Sequence, residues 1–251
     1  MEPYYADEQV TLYCGDFREI LPEVLTIHGE PDLTLTDPPY GETSLAWDRW
    51  PDGWPQLIPG RSMWCFGSMR MFLDRRDDFT GWKLSQDVVW EKHNGSGLAS
   101  DRFMRVHEHA LHWYRGGWGS VHHDTPRFAT GGKRSVIRRS AQDKRTRGTQ
   151  TGSVDVRDGT TLARSVIYSP SMQGKAINET EKPAGLVEQL LTYGCPPGGL
   201  VLDVFAGGCS ALVAARNSGR RAVGIELREA QCAKAVEHRL SQAVLPFGEA
   251  S

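Results

Sequence analysis

The sequence predicts an α/β fold in which a mostly parallel central sheet carries helices on both faces. Three observations indicate it: several short apolar segments resemble buried strands, other segments carry apolar residues at helical spacing, and the two kinds alternate in the last third of the chain. Continuous apolar strands are typical of parallel sheets, which are buried on both faces. The 251 residues suffice for one large domain, or for one domain with a sizeable insertion.

The first half of the chain contains five predicted strands. They are QVTLYCGD at 9–16, DLTLTD at 32–37, RSMWCFGS at 61–68, SQDVVWEK at 85–92 and HEHALHWY at 107–114. A turn of helix is expected at 17–25, where Pro22 removes a backbone donor and is expected to limit its length. From Gly116 to Ala176 the chain is rich in Gly, Ser, Thr and basic residues with weak periodicity, which predicts an insertion at one edge of the domain.

Strands and helices alternate regularly after this insertion. Residues 182–194 form a predicted amphipathic helix, with Pro183 near its start and Gly194 at its end. A buried strand and a glycine turn follow at 199–208, and then a short helix, a second buried strand and a final amphipathic helix at 210–219, 221–226 and 228–240. This order predicts adjacent parallel strands whose carboxyl ends meet at one edge of the sheet.

Composition excludes several classes of protein. No stretch approaches the roughly 18 apolar residues of a membrane span, so no membrane partner is expected. The acidic N-terminus lacks the apolar core of a signal peptide. Five cysteines without framework spacing favour free thiols in a reducing cytosol.

Charge is distributed unevenly along the chain. The net charge of −2 excludes a globally basic nucleic-acid binder, yet residues 127–147 contain eight basic side chains and one acidic one. This stretch fits either a solvated loop or a surface that contacts phosphates. The residues that we expect to contact DNA are Arg134, Arg138, Arg139, Lys144 and Arg145.

Four predicted strand ends carry acidic side chains. They are Asp16, Asp37, Asp203 and Glu226, and a glycine turn follows Asp203. A glycine turn lets a ligand approach the backbone, and an acid at the end of the next strand suits the hydroxyls of a ribose. The pattern favours a nucleoside-bearing cofactor over a purely structural turn, but leaves its identity open.

The segment Asp37-Pro38-Pro39-Tyr40 ends a buried strand abruptly. Its prolines lack backbone donors, so nearby carbonyl oxygens are free to face outward. The Asp37 carboxylate and the Pro38 carbonyl would provide two acceptors for an amino group, and Tyr40 a flat surface for a nucleobase. The alternative is a purely structural proline turn capped by an aspartate. The predicted nucleoside site nearby favours the functional interpretation over it.

A cysteine nucleophile and a zinc site both fit the sequence poorly. Cys195 precedes two prolines in an ordinary loop before a strand, whereas a cysteine nucleophile for cytosine carbon-5 methylation belongs to a Pro-Cys pair at a strand end. The histidines at 107, 109 and 112 lack the spacing of a helical zinc motif, so no metal is expected.

The ordered motifs resemble those of the S-adenosylmethionine-dependent DNA amino-methyltransferases, which modify adenine N6 or cytosine N4. LYCGD, DLTLTDPPYG, SMWCFGS, WEKHNGSG, TEKPAGLVEQLL, VLDVFAGG and AVGIE follow the order of the permuted (β-class) group, in which DPPY precedes the cofactor loop. The resemblance implies a circularly permuted, Rossmann-like methyltransferase fold. It also implies double-stranded DNA as the partner, S-adenosyl-L-methionine as the cofactor and a cytoplasmic protein encoded by a bacterium or a phage. Family members often pair, which leaves a homodimer open.

Site roles follow from this resemblance. Asp37, Pro38, Pro39 and Tyr40 would hold a target base that has been flipped out of DNA. The implied cofactor-binding residues are Asp16, Thr180, Lys182, Asp203, Phe205, Gly207 and Glu226. The chain would divide into a catalytic half at 1–115, a target-recognition insertion at 116–176 and a cofactor-binding half at 177–251. Asp37 favours adenine N6, because cytosine-specific members more often carry Ser there.

The chain departs from the family pattern in its cofactor loop. The family usually has D-P-F-x-G-S-G-T, whereas this chain has DVFAGGCS, with Val204 in place of proline and Cys209 in place of the second glycine. Gly208 is expected to supply the missing flexibility one position earlier. Cytosine N4 methylation and a DNA-binding homologue with weakened catalysis are the alternatives that these residues leave open.

Overall fold

The computed structural model describes residues 1–96, 100–129, 159–170 and 181–242, without the side chains of 94–96. The chain separates into two compact units, one formed by 1–124 with the residues from 165 onward and the other by 125–164. The first unit contains the predicted acidic strand ends. The division into segments at 1–115, 116–176 and 177–251 stays a prediction.

A nine-stranded sheet organises the first unit. Its strands are β1 (Tyr5–Ala6), β2 (Val10–Cys14), β3 (Leu33–Thr36), β4 (Ser62–Gly67), β5 (Lys83–Ser96), β6 (Arg105–Tyr114), β9 (Val166–Tyr168), β10 (Leu200–Asp203) and β11 (Arg221–Glu226). They lie in the order β1-β2-β11-β10-β3-β4-β6-β5-β9. Five neighbouring strands of the sheet, β2, β11, β10, β3 and β4, are parallel to one another. Strand β6 is antiparallel to both β4 and β5.

The described part of this unit contains six α-helices. They are α1 (Phe17–His28), α2 (Trp54–Leu57), α3 (Met69–Asp74), α4 (Ala184–Gly194), α5 (Ser210–Asn217) and α6 (Glu229–Ala235). Short 3-10 helices at Arg76–Phe79 and Trp118–Ser120 and a π-helical turn at Val236–Leu240 accompany them. Along the part of the chain that is described, no helix has the length and apolar character needed to cross a bilayer.

Each face of the sheet has its own hydrophobic core, because side chains alternate between the faces along every strand. On one face, Leu33 and Trp64 of the sheet belong to a core with Leu190 of α4 and Leu212 of α5. On the other face, Met63 packs in a core that includes residues of α1, α2 and α3. The predicted α/β architecture with helices on both faces is thereby confirmed.

The helix α1 is longer than the sequence suggested. It runs through Pro22 for 12 residues, and the Asp16 side chain caps its start by accepting from the backbone N–H of Arg18. Proline removes only one intrahelical donor, and the buried face formed by Phe17, Leu21 and Val24 offsets that loss.

The second unit contains a two-stranded antiparallel ribbon. It pairs β7 (Arg127–Ala129) with β8 (Thr160–Leu162), and Arg127 Nε donates to Thr160 Oγ1 at 2.9 Å. The predicted DNA-contacting residues from Arg134 to Arg145 lie outside the described residues. Their role therefore stays a prediction.

Candidate active site

The four predicted acidic strand ends lie side by side. The strands β2, β11, β10 and β3 are consecutive and parallel in the sheet, so Asp16, Glu226, Asp203 and Asp37 share its carboxyl edge. This edge is where ligands of open α/β sheets bind. The topology therefore joins residues up to 210 positions apart in the chain, since Asp16 and Glu226 follow adjacent strands.

Asp203 is buried at the centre of this edge. Its Oδ1 accepts a hydrogen bond from Thr36 Oγ1 at 2.7 Å and another from the backbone N–H of Phe205 at 3.1 Å. The first bond ties β10 to the strand that leads into Asp37. Burial raises the pKa of Asp203 to about 7, and the nearby carboxylates of Asp37 and Glu226 add to the effect.

Glu226 fixes the loop that follows Asp203. Its Oε2 accepts from the backbone N–H of Gly207 at 2.9 Å, and its Oε1 accepts from the backbone N–H of Arg228 at 3.0 Å. Arg228 Nε also donates to Oε1 at 3.0 Å, so about one of the four acceptor positions of the carboxylate is left for a ribose hydroxyl. The arrangement of an acid and a glycine turn fits the nucleoside part of S-adenosylmethionine.

The glycine turn contains an unusual backbone conformation at Cys209. This residue adopts φ 59° and ψ 27°, the left-handed region, and it is the one non-glycine residue with positive φ in the described chain. Gly207 also has positive φ, at 50°, but Gly208 does not. The expectation that Gly208 would supply the flexibility was therefore wrong: Cys209 itself adopts the conformation that the family's glycine would adopt without strain.

A pair of substitutions at this position separates backbone strain from side-chain packing. Cys209→Ala and Cys209→Gly both remove the buried sulfur, but only glycine relieves the left-handed conformation. We expect Cys209→Gly to be the more stable variant by about 1 kcal/mol. Urea denaturation of the two variants measures this difference, and equal stability would contradict the strain at Cys209.

The remaining predicted cofactor residues have identifiable structural partners. Asp16 accepts bonds from both the backbone and the guanidinium of Arg18, and the preceding Gly15 N–H donates to the Glu226 carbonyl at 2.9 Å. The Phe205 ring packs edge-on against Phe17 at a centroid distance of 5.2 Å. Thr180 lies outside the described residues. Cofactor contacts of all these residues stay predictions.

The DPPY segment begins directly after β3. Tyr40 donates its hydroxyl hydrogen to Asp37 Oδ1 at 2.8 Å, and Pro38 is buried. The loop beyond Tyr40 is held by the buried Asp48 carboxylate, which accepts from the backbone N–H groups of Gly41 at 2.8 Å and Thr43 at 2.7 Å. Asp37 therefore lies on a fixed segment next to the strand that carries Asp203.

The second oxygen of Asp37 contacts a buried cation. Lys182 Nζ donates to Asp37 Oδ2 and lies 3.4 Å from Glu108 Oε2, and the Lys182 side chain is 5% exposed. Burial opposes the charge of Lys182, but Asp37 and Glu108 outweigh it and raise the lysine pKa. The resemblance implied a cofactor contact for Lys182, and that contact stays a prediction beside the observed ion pairs.

Sequence reasoning missed two members of this cluster. Glu108 lies on β6, and its Oε1 accepts from Lys92 Nζ of β5. Nothing in the string HEHALH marks Glu108 as a neighbour of Asp37, because that proximity depends on β6 pairing with β4 beside β3. The pairing of Lys92 across β5 and β6 could have been found only after the register of the hairpin was known.

The histidines of β6 make separate contacts. His112 is buried, with Nε2 2.9 Å from Ser62 Oγ and Nδ1 2.6 Å from Ser85 Oγ, and burial lowers its pKa to about 4. The rings of His107 and His109 contact each other edge-on at 5.3 Å. Within the described ranges no group of three or more potential ligands is arranged to hold a metal ion.

Two known proteins are similar to this chain in sequence. The type II methyltransferase M.ScaI of Streptomyces caespitosus is 23% identical over 270 residues, covering 91% of this chain and 80% of that protein. The protein YubD of Escherichia coli (strain K12), provisionally named a methylase, is 44% identical over 68 residues, which is 27% of this chain and 30% of that one.

Two solved structures have the same overall fold. The M1.HpyAVI–SAM complex matches with a TM-score of 0.62 at 20% identity, covering 93% of this chain and 100% of that one. The cytosine-N4-specific PvuII DNA methyltransferase matches with a TM-score of 0.61 at 14% identity, covering 94% and 88%. The family model described as DNA methylase matches residues 31–237, which include the DPPY segment, the cofactor loop and Glu226. The chain thus belongs to the DNA methylase family of N6- and N4-methyltransferases, whose methyl donor is S-adenosylmethionine.

Proposed function

We propose that this chain is a site-specific DNA methyltransferase that transfers a methyl group to adenine N6 after the base is flipped out of double-stranded DNA. The observation that carries the proposal is the position of Asp37 at the carboxyl edge. The Thr36–Asp203 bond of 2.7 Å fixes it beside the loop expected to bind the cofactor. A carboxylate there can accept from an exocyclic amino group and leave the nitrogen facing that loop.

The reaction requires activation of a weak nucleophile. The lone pair of an exocyclic amine is delocalised into the ring, and hydrogen bonds from both N–H groups to Asp37 and the Pro38 carbonyl would favour a pyramidal nitrogen. S-adenosylmethionine, when bound, supplies an electrophilic methyl group on a sulfonium. Alignment of the two reactants then supplies much of the reduction in the activation barrier. Asp37 would also accept the proton that the methylated nitrogen loses.

The other site residues would assist binding. Tyr40 would stack on the extruded base, which recovers part of the cost of flipping, a few kcal/mol. Glu226 would bind the ribose, and Asp203, Phe205 and Gly207 would form the loop around the cofactor. Arg134 and its basic neighbours would contact DNA phosphates, which makes binding sensitive to salt.

Cytosine N4 methylation is the competing function, because Asp37 could hold either amino group. Unmethylated double-stranded DNA incubated with methyl-labelled cofactor, digested and separated as nucleosides, distinguishes the two. We expect the label in N6-methyl-2′-deoxyadenosine. Label in N4-methyl-2′-deoxycytidine would overturn the adenine assignment, and cofactor binding without any label would favour the homologue with weakened catalysis. The Asp37→Asn variant in parallel shows whether the label depends on this site.

A further inference from the structure

Four charged side chains form a cluster beside the DPPY segment. Asp37 and Glu108 are the carboxylates, and Lys182 and Lys92 are the ammonium groups. The Lys182 ammonium lies between the two carboxylates, and Lys92 donates to Oε1 of Glu108. The formal charges of the cluster cancel, so Lys182 can move between its two partners without leaving a net charge buried.

A buried ammonium already binds one of the two oxygens that Asp37 would offer to an amino group. Asp37 Oδ1 accepts from Tyr40 at 2.8 Å, and Asp37 Oδ2 accepts from Lys182. An incoming amino group would therefore compete with a buried ammonium for the same carboxylate. A desolvated ammonium does not release an anion readily unless another anion replaces it.

Glu108 meets this requirement. Its Oε2 lies 3.4 Å from Lys182 Nζ, so a small rotation of the lysine side chain is enough to strengthen this contact and weaken the one with Asp37. Lys92 fixes Glu108 from the other side, and Lys92 Nζ is itself held over the Trp90 ring at 4.6 Å. The acceptor is thus in place before any base arrives.

We propose that Glu108 is a positioning residue that receives the Lys182 ammonium when the amino group of the target base binds Asp37. The proposal rests on the proposed function, since it assumes that Asp37 holds that amino group. Glu108 contacts neither the base nor the cofactor. It acts by freeing Oδ2 of Asp37 for the substrate.

The Glu108→Gln variant tests this role, because glutamine keeps the shape of glutamate and one carbonyl acceptor but loses the charge that attracts Lys182. We expect kcat/KM for DNA to fall about 10- to 100-fold, in the range of residues that position catalytic groups. The dissociation constant for S-adenosylmethionine should change less than about twofold, as expected of a group outside its binding loop. Glu108→Asp, which retains the charge, should recover part of the lost activity.

Matched measurements exclude a merely structural role for Glu108. Glu91→Gln removes an exposed carboxylate from the neighbouring strand β5 and should leave kcat/KM unchanged. Thermal unfolding of every variant ensures that rates are compared on folded protein. A wild-type rate in folded Glu108→Gln would overturn the proposal while the function stands. The proposal would also be overturned, with the proposed function still standing, if Glu108→Asp were no more active than Glu108→Gln. A wild-type enzyme that methylates no DNA would overturn both.

Discussion

Replacing Asp37 with asparagine should lower the rate of methyl transfer by at least about 10²- to 10³-fold, the effect of removing one preorganised polar group that acts on the transition state. Asparagine keeps one carbonyl oxygen but replaces the other acceptor with a donor, which repels the amino group of the base. Single-turnover transfer of labelled methyl to unmethylated DNA measures the change.

Cofactor binding should survive this substitution, since Asp37 precedes a different loop from the one that Glu226 and Gly207 form. Titration calorimetry with S-adenosylmethionine checks this. Asp52→Asn is a matched control, because the Asp52 side chain is 85% exposed and pairs only with Arg75 among its described salt bridges. An Asp37→Asn enzyme that works within threefold of the wild-type rate would refute the assignment of Asp37.

Local patterns in the sequence were enough to predict the sheet and the acidic residues at its edge. Apolar runs that end in Asp16, Asp37, Asp203 and Glu226 predicted strands, and the rule for parallel strands placed their ends together. The structure has these strands as consecutive neighbours. The prediction succeeded because each signal lies within ten residues of its own strand.

The interactions of the site were not predictable in the same way. The pairing of Lys182 with Asp37 joins residues 145 positions apart, and Glu108 approaches them through antiparallel pairing of β6 with β4. The strained conformation of Cys209 was misjudged for another reason. The sequence identified the missing glycine, but only the backbone shows which residue adopts the left-handed conformation.

Asp203→Asn should stabilise the cofactor-free protein more at pH 8 than at pH 5. The folded-state pKa of about 7 exceeds the ordinary value of 3.8, so the folded protein binds more protons than the unfolded chain between these values. Stability from this group is therefore full below about pH 4 and is lost as the pH rises through 7. The shift corresponds to a loss of at most about 4 kcal/mol, which asparagine avoids because it has no charge to bury.

Asparagine also retains the Oδ1 acceptor that Thr36 and Phe205 use in the wild-type protein. Thermal unfolding at the two pH values measures the difference, and Asp77→Asn, on a side chain 91% exposed, controls for the loss of a carboxylate. If Asp203→Asn stabilised the protein equally at pH 5 and pH 8, the raised pKa of the buried Asp203 carboxyl would be contradicted. If Asp203 belongs to the cofactor loop, the same variant should bind S-adenosylmethionine more weakly. Stability and cofactor affinity would then change in opposite directions, as is common when a binding site retains a buried acid that lowers stability.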